Sequence, residues 1–270
     1  MKLLSIFVVI PALCFSGCVA GGHRHHACVQ ENAATDGVAG FWSREKLARD
    51  CPIEFLNGCI EHYDEQIRDY RCTFQITEKG ALGLSETQRI AIQFRENPYS
   101  VDMKWIGNTS AASRICYVKD RWVKNGRQMA LVVPSGVGGL ILPGGIKLDI
   151  HGREFRRSAS HSVDEFGFRK TLERFVEWCE AASGDPAFSL TYSGRVEFEG
   201  RPQYAFERRL PAASQQTKYP DRLSVMYVDA EWLVPIAVWN YADEDKHEVK
   251  GEYLTFGVTY NVGLADSDFE

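Results

Sequence analysis

The 270-residue sequence lacks several things that would each point to a class of function. No apolar stretch reaches the roughly 20 residues that a membrane-crossing helix needs. The one strongly apolar run, Leu3 to Phe15, is short and broken by Ser5 and Pro11. There is no cluster of Lys and Arg, and the formal net charge is −5. Binding to nucleic acid through a positive field and counterion release is thereby excluded, and no nucleic-acid partner is expected. No CxxC pair occurs, so zinc-ribbon spacing is absent and no metal or other cofactor is expected. GxSxG, HExxH and the Gly-Lys-Ser/Thr end of a phosphate loop are missing as well, which leaves no recognisable nucleophile, metalloprotease helix or nucleotide cradle.

What is present begins with Lys2, the apolar run, then small residues before Cys18. That order reads as an export signal rather than a span. Phe15-Ser16-Gly17-Cys18 resembles the bacterial lipoprotein signal, which implies diacylation of the Cys18 sulfur and a membrane partner reached through it. Residues 19–40 carry Gly21-Gly22, a His23-Arg24-His25-His26 cluster and polar residues without apolar period. The imidazoles suggest a metal, but a tether without a second shell does not fix them, so a solvated linker is the expectation. The expected organisation is a signal over 1–17, a flexible tether over 18–48 and one domain over 49–270.

Within that domain the apolar period alternates between two values. Ile53, Leu56, Ile60, Tyr63 and Ile67 recur at helical spacing behind Pro52, which suits a first turn. Tyr70, Cys72, Phe74 and Ile76 then alternate with polar residues, as do Ile90, Ile92, Phe94 and Val101, Met103, Trp105. Short runs at 115–119, 129–133 and 146–150 continue the strands. A second helix is expected from Ser162, where Ser162 and Glu165 have capping-box spacing, through Val163, Phe166, Leu172, Phe175, Val176 and Cys179 to the stop at Ser183-Gly184-Asp185-Pro186. Strands resume at 188–196, 196–208, 223–229, 233–241 and 252–260. Short connections and one apolar face predict an α+β fold, a strongly curved antiparallel sheet forming a half-open barrel around two helices. Cys59, Cys72 and Cys179 fall in segments expected to meet there, with at least one disulfide or a buried thiol cluster between them.

Tyr70-Arg71-Cys72-Thr73-Phe74, Phe94 through Trp105, Tyr227-Val228-Asp229 with Leu233-Val234-Pro235-Ile236, and the closing Asn261-Val262-Gly263-Leu264 resemble the bacterial family called domain of unknown function 1571. That family is similar to the outer-membrane lipoprotein carrier and receptor superfamily, the localisation-of-lipoproteins (LolA/LolB-like) proteins. The resemblance implies a half-closed barrel with inserted helices and an apolar cavity for acyl chains.

The residues that the alternation allows to line such a cavity are Phe74, Phe94, Val101, Met103, Trp105, Phe198, Phe206 and Trp239. Plain core is the competing account, because alternation marks burial without saying against what. His161, Asp164 and Glu165, beside Arg156 and Arg157, form the best acid–base group, but helix capping and favourable placement at a helix N-terminus is the expected account of them. The run 135–145, rich in glycine, reads as a loop able to act as a flap over the mouth. The expected function is therefore non-catalytic: an envelope lipoprotein facing the periplasm, favoured for the outer membrane, that binds a lipid or a lipoprotein's acyl chain. A packed structural or interaction module of the envelope is the alternative. Two acyl chains anchor a protein stably where one binds only marginally. Mature protein from its native host should partition into detergent, and Cys18→Ser should shift it to the aqueous phase; a serine variant that stays with membranes would refute acylation at Cys18.

Overall fold

The computed structural model describes residues 38–80, 83–84, 87–107, 112–156, 162–212 and 219–270. Cys18, the His cluster, Arg157 and His161 lie outside them. Helices α1 (Val38–Asp50) and α2 (Pro52–Gln66) lead into β1 (Asp69–Gly80), β2 (Gly83–Leu84), β3 (Gln88–Arg95), β4 (Ser100–Ile106), β5 (Ala112–Val118), β6 (Val123–Lys124) and β7 (Arg127–Pro134). A short α3 (Gly136–Ile141), β8 (Ile146–Asp149) and α4 (Arg153–Arg156) follow, then a 3-10 turn at Val163–Glu165 and α5 (Phe168–Ala182). The chain closes with β9 (Ser189–Phe198), β10 (Arg201–Arg209), β11 (Leu223–Asp229), β12 (Pro235–Tyr241), β13 (Val249–Tyr260) and a 3-10 turn at Asp266–Phe269.

Among the described residues thirteen strands make one antiparallel sheet, ordered β6-β7-β5-β4-β3-β1-β13-β12-β11-β10-β9, with β2 on β1 and β8 on β7. The fold class read from the sequence is the one found: an unclosed antiparallel sheet whose apolar face takes up helices. The last strand, β13, sits between β1 and β12 and so joins an N-terminal half of the sheet to a C-terminal one.

One cluster packs α2 and α5 on the C-terminal half, through Phe55, Leu56, Cys59, Leu172, Phe175 and Cys179 against Tyr192, Tyr204, Phe206, Met226 and Val228. Phe55 stands 4.8 Å from the Tyr204 ring and 5.3 Å from that of Phe206. A buried ion pair fixes α5 on β10. Arg208 donates to both carboxylate oxygens of Asp221 at 3.2 and 3.1 Å and to the Phe175 carbonyl at 3.1 Å, and its guanidinium lies 4.2 Å from the Phe175 ring centre. The thiols of Cys59, Cys72, Cys116 and Cys179 are buried and unbridged, whereas Cys51 is disulfide-bonded. Burial raises the Cys179 thiol to about 12, with Arg208 opposing the shift. Cys59 and Cys179 lie together in the α2–α5 cluster, whereas Cys72 is buried in the other cluster, so the three are free buried thiols that do not come together as expected.

The C-terminal residues cross the convex face. Leu264 and Phe269 pack on Cys116 and Val118. The Asp69 carboxylate accepts from the backbone N–H groups of Val262, Gly263 and Leu264, a turn that needs φ +73° at Gly263.

Two expectations are corrected. The tether expected to run to residue 48 is helical from Val38, and Ala48 is buried under the α2–α5 cluster. Of its neighbours, Leu47, Arg49 and Asp50 are exposed, so this helix carries almost no apolar period; ion pairs Lys46–Asp50 and Arg49–Glu45 support it. The capping box at Ser162 does not form. The Ser162 hydroxyl donates to the Ile150 carbonyl at 3.3 Å, and α5 starts only at Phe168, behind Gly167.

Removing one partner of a buried ion pair leaves the other charge unpaired and costs about 3–5 kcal/mol. Asp221→Asn should lower the urea unfolding free energy by that order, with Arg208 stranded beneath α5. A change below about 1 kcal/mol would show that the pair does not hold the helix.

Candidate functional site

In an antiparallel sheet, residues directly opposite share a face, so the registers define rows that cross the concave wall. The deepest row is Tyr70–Phe94–Val101–Tyr117. The next is Cys72–Ile92–Met103–Ile115–Val132–Ile146, and beyond it run Phe74–Ile90–Trp105 and Ile76–Gln88.

The deepest row is sealed. The strap before α5 crosses it, with Phe168 at 4.6 Å from the Tyr70 ring and Phe166 at 6.2 Å from that of Phe94. Tyr99 holds the strap by donating to the Phe166 carbonyl at 2.7 Å, and burial pushes its phenol well above the ordinary range. Gly167 makes the crossing possible, since a Cβ there would sit 3.2 Å from the Phe94 ring and its φ of +115° suits glycine.

The outer rows are less completely covered. Phe74, Ile76, Met103, Trp105, Val132 and Leu148 are half-buried, and Ile146 at the sheet edge is exposed. Trp105 keeps its apolar ring in this wall because its indole N–H donates to Gln88 Oε1 at 2.7 Å. On the β13 side a polar border begins, where the Tyr253 hydroxyl donates to Glu78 Oε1 at 2.8 Å. Burial, then the Glu78 charge, raises the Tyr253 pKa, so the phenol is a neutral donor at any physiological pH. Burial also pushes the Cys72 thiol well up, so it stays protonated and unreactive. The site is thus an apolar strip with one polar rim and no activated nucleophile among its described residues.

The residues expected to line a cavity separate into three groups. Phe74, Met103 and Trp105 lie in the outer rows. Phe94 and Val101 belong to the sealed row, and Phe206 is covered by α2. Phe198 and Trp239 are on the opposite, convex face: Trp239 faces Glu252 and Val225, and its ring is 6.3 Å from Phe198 and 4.9 Å from Tyr227. They do not line the hollow. For Trp239 the reason is that β12 is apolar on both faces, so alternation does not say which is inner; for Phe198 it is the register shift opposite Ala205 and Phe206, where β9 skips a residue between Tyr192 and Gly194 and turns its apolar parity outward. Ile90, Ile115, Val132 and Ile146 are wall residues that the sequence reading left out. The signal for them was the same alternation in runs already read as strands.

The acid–base candidates do not converge on the strip. Asp164 Oδ2 stands 3.3 Å from His151 Nε2, and Glu165 pairs with Arg174 at 3.4 Å. The glycine-rich run expected as a loop forms α3. Two open clefts of about 540 and 550 Å³ lie elsewhere, one beside His151 and Arg153, the other around Arg71, Gln93 and Lys104.

A Cβ at Gly167 would meet the Phe94 ring and hold an unfavourable backbone, a strain of about 1–3 kcal/mol. Gly167→Ala should therefore destabilise the fold by that order in urea titration. Equal stability would mean that the strap does not close the deep row as described.

No curated protein matches the chain. Solved structures similar to it include MucB, at 10% identity over 82% of this chain and 63% of that one, with a TM-score of 0.45. The chain thus spans less than two thirds of MucB. Others are the Mycobacterium tuberculosis lipoprotein LppX, at 10% over 80% and 98% with a TM-score of 0.38, and a LolA superfamily protein of Nitrosomonas europaea, at 10% over 80% and 97% with 0.34. These are likenesses of chain course only. The sequence match is of another kind: the model of the family described as protein of unknown function (DUF1571) covers residues 67–270, and the chain belongs to that family.

Proposed function

We propose that this chain is an envelope lipoprotein, anchored through Cys18 and facing the periplasm, that binds an acyl chain along the outer rows of its half-barrel. The observation that carries the reading is the half-buried strip of Phe74, Met103, Trp105 and Val132 beside a sealed floor. Apolar area left to water costs about 25 cal/mol per Å². An alkyl chain laid on these side chains removes that cost without asking for a specific polar partner. The reading assigns no reaction and no cofactor to the protein, and outer-membrane residence belongs to it as well. MucB, LppX and the LolA superfamily protein add context through their names alone.

One observation favours a second reading. The strap and α5 already fill the deep half of the hollow, as a purely structural module of the envelope would require. A fluorescent fatty-acyl probe separates the two. The parent protein should retain the probe, and Trp105→Asp should lower retention at least tenfold while the circular dichroism spectrum stays native. Retention unchanged by the substitution would remove Trp105 from the site. No retention by the parent at any probe concentration would establish the packed module instead, and acyl ligands travelling with the protein in a native mass spectrum would exclude it.

A further inference from the structure

Helix α3 is built inside out. A helix on a soluble domain turns its apolar stripe to the core and its polar residues to water. In α3 the side toward the sheet is glycine: a Cβ at Gly139 would fall 2.5 Å from the Pro134 carbonyl oxygen, and one at Gly138 3.0 Å from Pro134 Cβ. No α3 residue is buried, and the apolar side chains point to solvent, with Val137 71%, Leu140 83% and Ile141 71% exposed. Leu142 and Ile146 extend the patch. Five of the eight exposed large apolar residues among the described ones thus lie within ten positions, and a sixth, Val123, is on the same edge of the sheet.

The chemistry around the patch indicates what covers it. From Gln128 to Ile146 there is no charged residue. On either side of this stretch the same edge carries exposed Lys124, Arg127, Lys147 and Arg153, although the whole chain is acidic. Asp149 pairs with Arg127 at 3.2 Å, and Lys147 lies 5.3 Å from the Trp122 ring centre. Apolar residues projecting beyond a row of cations match the depth profile of a bilayer with anionic headgroups, in which alkyl tails lie beneath a layer of phosphate. The patch is also continuous with the strip, because Ile146 is opposite Val132 in the row that runs inward to Ile115 and Met103.

We propose that the β6–β7–α3–β8 edge is a membrane-docking edge: α3 dips its apolar side chains into an anionic bilayer surface, and the row from Ile146 to Met103 is the path by which a bilayer lipid's alkyl chain reaches the strip. The docking stands on the edge itself, whereas the path rests on the acyl-binding reading above. The segment from Cys18 to Val38 spans at most about 70 Å at full extension, enough for a lipid-anchored domain to lay this edge on its own membrane.

The test is flotation of the mature full-length chain carrying Cys18→Ser, so that no lipid anchor contributes, with vesicles of phosphatidylglycerol and phosphatidylethanolamine and with vesicles of phosphatidylcholine alone. The parent should float with the anionic vesicles. Leu140→Asp with Ile141→Asp should lower the bound fraction at least tenfold, with unchanged circular dichroism and urea midpoint. Lys124→Glu with Lys147→Glu should lower it severalfold on anionic vesicles only. Absence of flotation by the parent, or equal flotation by the aspartate variant, would overturn the docking edge, as would an α3-dependent dimer in sedimentation velocity, which would assign the patch to a second copy. The fluorescent acyl probe in vesicle-free solution keeps the two readings apart. Probe binding without flotation sinks the docking edge and leaves the acyl site standing, while flotation without probe binding does the reverse.

Discussion

Everything in this molecule depends on how a strongly curved sheet covers its inner face. Curvature gathers apolar side chains from many strands into one concave wall, and a wall of that width exceeds what two fifteen-residue helices can shield. Helices α2 and α5 set most of their apolar side chains on the C-terminal half, where Arg208 and Asp221 fix α5 through its Phe175 carbonyl. The N-terminal half receives only the end of α2 at Tyr63 and Ile67, Ile150, Phe155 of α4, and the strap from Val163 to Phe168. The strap seals one row of the wall and reaches only the border of the next rows, so the half-buried strip follows from the economy of covering elements and not from a separate device.

Polar groups in the hollow are placed where they border this strip without interrupting it. Tyr253 and Glu78 satisfy each other on the β13 side, and Gln88 satisfies the Trp105 indole. Both donors are thus matched by a neighbour, as polar groups withdrawn from water require. The wall therefore presents carbon with a polar rim of Tyr253, Glu78 and Gln88, a surface suited to shape-tolerant apolar contact.

Much of this was legible in the sequence, and the rest fails for identifiable reasons. Period-two alternation located β1, β3, β4 and β10 to β13, and the helical period located α2 and α5, because each has one face that is buried along its length. Helix α1 was missed because its exposed Leu47 and its ion pairs leave no apolar period. Trp239 was placed on the wrong face because β12 is apolar on both sides and only its register with β11 and β13 decides which is concave; Phe198 was, because β9 shifts register against β10 after Tyr192 and so changes face. The capping box at Ser162 had the right spacing, yet a hydrogen bond to the Ile150 carbonyl and a strap ending at Gly167 took its place. Helix α3 was invisible for a different reason: glycine has little helical propensity, and here it serves close approach to Pro134.

The position of β13 bears on how the chain acquires its structure. The strand made last pairs on one side with β1, bringing Tyr70 beside Tyr260 and Phe74 beside Thr255, and on the other with β12. Until it docks, the two halves of the sheet share no strand, and each presents an unpaired edge. Contacts so distant in sequence slow folding, and open edges invite pairing with other chains. Until β13 is available, β1 and β12 each keep one open edge, so that interval is when the sheet is most exposed to pairing with another chain.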